Sequence, residues 1–249
     1  MAIALRGTGQ FGTALNGGNV TLTFDVAPEP GDVVIVSGGW PRSGGGVGIS
    51  TAGYTEIAAI SNIGGSFAAF YKVMGASPDS NVVCLGNAQA EDGICYGSYV
   101  LSGVHADVQD QTPESASQEQ PPAIVTQTDN AWVIICSGSW TTDDVFTAPA
   151  GYGNFIFDFA NDTRDYVAAM ATKEVSPAGT ETPATWGAWD TGYPLSITIA
   201  LKPAAAGLNM NVKADGGWKA VNSGMVKVNG AWKSISSLMV KAPADWKQV

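Results

Sequence analysis

Charge is scarce in this chain. Of its 249 residues 14% are charged, and the acidic ones outnumber the basic by 22 to 12. An ordinary soluble domain carries about 25%. Phosphate backbones are held by clustered Lys and Arg, so a net charge of −10 excludes nucleic acid from the expected partners. Histidine is scarcer still, with His105 the sole imidazole. A Ser-His-Asp or Cys-His relay would have to run through it, yet it stands in VHADVQD with no nucleophile-elbow motif. As a metal ligand it would need Asp107 and Asp110 beside it, on a polar segment without periodicity; a surface histidine is the simpler reading. Cysteine is limited to Cys84, Cys95 and Cys136, each inside an apolar run where a free thiol acts as a small buried hydrophobe. A Cys84–Cys95 bridge across a hairpin is the alternative. No apolar run approaches the roughly 18 residues of a spanning helix, so membrane insertion is not expected. MAIALRGTG lacks the charged and apolar regions of a signal peptide, which implies synthesis in a reducing cytoplasm and release by a route such as lysis. The triplet at 44–46 lacks the Lys-Ser/Thr of a phosphate loop. Helical periodicity is almost absent.

What is present is strand and turn chemistry, with 31 Gly, 13 Pro and abundant Val, Ile, Thr and aromatics. NVTLTF (19–24) alternates, with Val20, Leu22 and Phe24 on one face. PEPGD then turns into the continuous run VVIVSGGW, ending at Trp40. Further strands are expected near 54–60, 66–74, 81–85, 94–101, 124–127, 131–138, 154–159, 166–175, 182–186 and 195–201. Many short strands between turn signals predict an all-β sandwich or barrel.

An internal repeat organises these strands. IVSGGW (35–40) matches ICSGSW (135–140), AGY recurs at 52–54 and 150–152, and FAAFYKV (67–73) matches VAAMATK (167–173). YGSYVLSGV (96–104) finds a counterpart in YPLSITIAL (193–201). The expected organisation is a duplicated sandwich over 1–203. Its repeats cover about 31–104 and 124–202, and they pack on each other. On these alignments Val34 and Ile134, and Ala69 and Ala169, are expected at equivalent positions. The connector 105–123 is polar and acidic. Nineteen structureless residues are unusual inside a domain, so it reads as an extended crossover along the sandwich.

Residues 204–249 form a second module. VKADGGWKAV, VKVNGAWKSI and VKAPADWKQV repeat every 14 residues, with Asp215-Gly216 and Asn229-Gly230 as two-residue hairpin turns. That register sets Lys213 opposite Trp218, Lys227 opposite Trp232 and Lys241 opposite Trp246. Val226, Val228 and Ile235 then share an apolar face. Charge changes sign here: residues 1–205 hold 6 basic and 20 acidic side chains, and residues 206–249 hold 6 and 2. Isolated hairpins are marginal in water, so the apolar face needs a cover. Copies of the same segment in a closed homo-oligomer, a trimer first, are the expected cover.

The pattern GDVVIVSGGW…AGYTEIA…FAAFYKVM…YGSYVLSGV, repeated as NAWVIICSGSW…AGYGNFI…YVAAMATKEV…LSITIALKP, resembles a duplicated domain of phage minor tail, fibre and head-decoration proteins. The VK…GxWK units look like short repeats at the ends of phage fibre proteins. The resemblance covers about 31–249, with Tyr54 and Tyr152 where Trp is usual. It implies a jelly-roll-like sandwich, a place on the virion surface as a tail fibre, head spike or capsid decoration, synthesis in a bacterial host cytoplasm, and trimeric assembly. Other virion proteins and a host surface glycan are the implied partners. It carries no catalytic residues, cofactor or metal. The contact candidates are Trp218, Trp232, Trp246, Lys213, Lys227 and Lys241, with Trp40 and Trp140 at loop tips. A carbohydrate-binding module is the rival class. A polysaccharide-degrading tailspike-type enzyme is disfavoured; its carboxylates would come from the turn holding Asp158, Asp162 and Asp165.

Overall fold

Burial alternates wherever one face of a strand meets water. In β2 (Val20–Thr23) Val20 and Leu22 are buried while Thr21 and Thr23 are exposed. By contrast β3 (Val33–Trp40), VVIVSGGW, is buried at all eight positions, which requires cover on both faces. The computed structural model describes residues 2–43, 46–140, 147–187 and 192–205, together with the strand backbone of 210–214, 217–221, 225–228, 231–234, 239–241 and 246–248. Among them there is no helix. The chain divides into two compact units, Ala2–Ala204 and Ala205–Val249.

The larger unit is an all-β antiparallel sandwich. Its first sheet runs β1 (Ala4–Ala14), β7 (Ile94–Ser102), β3, β5 (Gly65–Val73), β4 (Thr55–Asn62). The second runs β8 (Val104–Gln109), β15 (Leu195–Pro203), β11 (Ala131–Ser139), β13 (Tyr166–Val175), β12 (Gly153–Ala160), with β9 (Glu114–Ala116) also on β15. Strand for strand the two orders correspond, β8 and β9 taking the place of β1. The sheets face each other across a central core that joins Ile35, Phe67, Tyr99 and Leu101 to Ile134, Tyr166, Met170 and Ile199. Over the outer face of the first sheet lies β2 paired with β6 (Asn81–Cys84), closing a core around Val34, Val36, Phe70 and Tyr96. Over the second lies β10 (Ile124–Val125) paired with β14 (Thr180–Glu181), closing one around Val133, Ile135, Ala169 and Trp186. The result is four layers. Each fully buried Ile, Leu or Phe contributes about 1.5–3 kcal/mol.

The exact correspondence differs from the one the motifs imply. Val34 pairs with Lys72 and Val100, and the residue that pairs with Lys173 and Ala200 is Val133. Ile35 opposite Tyr99 likewise matches Ile134 opposite Ile199. Val34 therefore faces an outer core and Ile134 the central one, and Ala69 and Ala169 are divided the other way. Matching SGGW to SGSW sets the halves one residue out of step, and a one-residue slip exchanges every side chain between faces.

Two segments that read as irregular are strands. In the connector, VHADV turns Val104 and Val108 into the central core, and β8 and β9 extend the sheet edge. Near its end, Pro122 O accepts the Thr198 hydroxyl at 2.8 Å, so the crossover does lie along the sandwich. Glycines obscure β1: Gly7 and Gly9 adopt φ of 72° and 82°, and the register shifts between Arg6 and Gln10. A Cβ at Gly9 would meet the Tyr99 ring at 2.8 Å.

The smaller unit contains three hairpins. They pair β16 (Met210–Ala214) with β17 (Gly217–Val221), β18 (Met225–Val228) with β19 (Ala231–Ser234), and β20 (Met239–Lys241) with β21 (Trp246–Gln248). Lys213 is opposite Trp218, Lys227 opposite Trp232 and Lys241 opposite Trp246. The turns at 215–216 and 229–230, and Ile235, lie outside the described residues.

Candidate functional site: a tryptophan and arginine cleft

The slip between motif and structure separates two tryptophans. Trp40 has the parity of Val34 and Val36, so it points into the outer core and is 2% exposed. It is therefore not a loop-tip contact; it is core. Counting from Val34 and Val133, its equivalent is Ser139. Trp140 stands one residue further, with the parity of Ile134 and Cys136. That turns it to the side where the two halves meet, just past the end of β11, and it is half-buried.

Around Trp140 lies a cleft of about 340 Å³, lined also by Pro41, Arg42, Ser43, Ile63 and Arg164. The first four of these come from the first half and Arg164 from the second. Arg42 is anchored by Asp92, which is fully buried. Asp92 Oδ2 accepts Arg42 Nε at 2.6 Å and Asn87 Nδ2 at 2.6 Å, while its Oδ1 has no partner among the described residues. The backbone around Asp92 pairs with Arg164: Arg164 N–H donates to Glu91 O at 2.7 Å, and Gly93 N–H donates to Arg164 O at 2.8 Å. One buried segment thus positions both arginines. The Arg164 guanidinium lies over the Trp140 indole, 5.8 Å from its centroid, and Tyr193 stacks on Trp140 at 5.9 Å with the rings 25° apart. Ile63, on the rim, is 80% exposed, and Tyr193 is 40% exposed.

The other sequence candidates are structural here. Asp162 accepts the N–H groups of Asn16 and Thr163, each at 2.7 Å, and Asp165 accepts the Asp162 N–H at 2.7 Å, so these carboxylates cap a turn. Asp158 takes the Phe159 N–H at 2.9 Å. Among the described residues no cluster of three or more His, Cys, Asp or Glu is placed to hold a metal. His105 sits on edge strand β8, its Nδ1 accepting the Asp107 N–H at 3.0 Å. All three cysteines are free and buried, so the Cys84–Cys95 bridge does not form. Burial raises each thiol, Cys136 to about 12, with the Ser37 hydroxyl pulling it back. Inert thiols follow, because the thiolate is the nucleophile.

Each half also carries a clasp of tyrosine, lysine and acid. Lys72 lies over the Tyr54 ring and bonds Asp79 at 2.6 Å; Lys173 lies over the Tyr152 ring and bonds Glu181 at 2.9 and 2.8 Å. Burial raises both phenols, and the facing carboxylates raise them further. These clasps fasten strand ends and take up two of the body's few cations.

Of the expected contact residues, Trp140 alone among the described side chains stands at a cleft. For Trp218, Trp232, Trp246, Lys213, Lys227 and Lys241 the register is known, and their side chains lie outside the described residues. Arg42 and Arg164 were missed by motif reading. The available signal was composition: the chain has three arginines, and two of them sit in WPR and DTRD. No protein-family model, curated protein or solved structure matches this chain.

Proposed function

We propose that this chain is a non-catalytic structural protein on the surface of a bacteriophage-like particle, a fibre, spike or decoration subunit. The observation that carries the reading is the division into an acidic four-layer β body and a separate basic unit of three hairpins with one repeated Lys-opposite-Trp register. A body tied across three cores supplies rigidity. Three small hairpins form little core of their own and fit an attachment or self-association module. The resemblance of both parts to phage appendage sequences supports the same reading. Mass spectrometry and negative-stain imaging of purified particles test it: the chain should be found at the particle surface. Truncation after Ala205 should leave the β signal of the body intact and abolish incorporation or the oligomer. Absence from particles would overturn the proposal.

The cleft favours a second reading, carbohydrate contact. Trp140 beside Tyr193, with apolar Ile63 on the rim, is the kind of surface on which a sugar ring lays its C–H face. Both readings hold together in an appendage that touches a host glycan.

A further inference from the structure

We infer that the cleft selects an acidic sugar, one bearing a carboxylate, through Arg164 and Arg42. The inference rests on the carbohydrate reading of the cleft and adds the ligand's charge.

Residues 1–205 carry six cations against 20 acids, so a cation there is normally met by a carboxylate. Arg6 binds Glu29 at 2.8 Å and Asp32 at 3.0 Å; Lys72 binds Asp79 and Lys173 binds Glu181. Arg42 binds Asp92 through Nε, which leaves its terminal N–H groups to the cleft it lines. Arg164 differs from these four: like Lys202 it has no carboxylate paired with it among the described residues, although acids flank it in the sequence at 162 and 165, and of the two it is Arg164 that lines the cleft. Those two are engaged with backbone N–H groups.

The Arg164 guanidinium lies over the Trp140 indole, 5.8 Å from its centroid, a contact made with the ring face that does not use up its N–H donors. A planar fork held ready at a concave surface matches a carboxylate. Asp92 neutralises Arg42, so among the described lining residues Arg164 is the one cation left without a carboxylate partner, suited to a monoanion. Ile63 lines the cleft and is 80% exposed, an apolar edge that suits the C–H face of a pyranose. A volume of about 340 Å³ accommodates one or two rings, near the lower end of small-molecule sites at about 300 Å³.

The test is calorimetric titration of the full chain with methyl glucuronide, methyl glucoside and acetate, alongside a short acidic peptide. Methyl glucuronide should bind at least about tenfold more tightly than each of the others, the ratio expected of one charged hydrogen-bonded pair. Arg164→Gln should erase the preference for glucuronide over glucoside while leaving circular dichroism unchanged and lowering the melting temperature no more than Trp140→Ala does. Trp140→Ala should weaken both sugars. Equal binding of glucuronide and glucoside would overturn the inference and leave the carbohydrate reading standing. No binding of either sugar would overturn both. Acetate or the peptide matching glucuronide would overturn it in favour of a general anion or an acidic protein partner.

Discussion

Trp40 and Trp140 follow nearly the same motif at nearly the same strand end, and they have opposite fates. In the first half the indole completes a core closed by β2 and β6. In the second it lies one residue past the equivalent position, leaves the outer core to Trp186 and Ile124, and reaches the seam between halves. The clasps differ in the same direction. Tyr152 donates to Glu181 at 3.3 Å, whereas the Tyr54 hydroxyl is buried with no partner among the described residues. Two sheets with one strand order thus diverge where side chains leave the regular ladder. Strand order follows from backbone pairing and apolar patterning, which tolerate substitution. A site depends on which face a particular side chain takes, and one residue of slip changes that.

The largest expected effect tests the tryptophans directly. Trp40→Ala should cost about 3–5 kcal/mol in denaturant unfolding, as deletion of a buried aromatic does. Equal losses for Trp40→Ala and Trp140→Ala would break the comparison between core and seam.

The second test concerns the central core, to which the first half contributes Cys95 and the second Cys136. Burial pushes the Cys136 thiol up to about 12, and Cys95 is raised well above the ordinary thiol value by burial and then by Asp158. Their stabilising contribution is complete below the unfolded thiol value. It should be lost as pH climbs toward about 12, because only the unfolded chain ionises readily there. Unfolding free energy should therefore be insensitive to these groups near neutrality and fall above pH about 9. Cys136→Val should make that fall shallower. An identical alkaline profile in the variant would show that the seam is open to solvent.

The clasps come third. Glu181→Gln removes a carboxylate shared by Lys173 and Tyr152, and about 1.5–3 kcal/mol should follow from losing charged hydrogen bonds at a mostly buried acid. Asp79→Asn removes no hydrogen bond from Tyr54 and breaks a pair whose acid is the more exposed, 24% against 10% for Glu181, for about 1 kcal/mol or less. Melting curves of the two variants sharpen the difference between halves if they follow this order. The smallest expected effect is on Trp140→Ala, about 1 kcal/mol or less, the scale of an exposed cation–π contact. Its consequence belongs in binding, not in folding.

Much of the fold was legible along the chain. Alternation marked β2, continuous apolar runs marked β3 and β11, and the 14-residue period with Asx-Gly pairs set the hairpin register of the smaller unit. In those places local chemistry and final structure agree. β1 was illegible because glycines interrupt its alternation, and β8 and β9 because an edge strand needs backbone pairing more than apolar side chains. The cleft was half legible: Trp140 stood out beside Trp40, and neither Arg42 nor Arg164 did.

By itself the sequence determined that the chain is all-β and that a basic segment of 14-residue period follows an acidic one. Those properties depend on period, turn residues and composition, all read over short spans. Only the tertiary structure decided that Trp40 is core and Trp140 stands at the seam, because facing depends on pairing between residues 26–69 apart in the chain. It alone brought WPR from one half to DTRD from the other. Arg42 and Arg164 lie more than a hundred residues apart in the chain, and the buried segment at Asp92 sets them around one cleft.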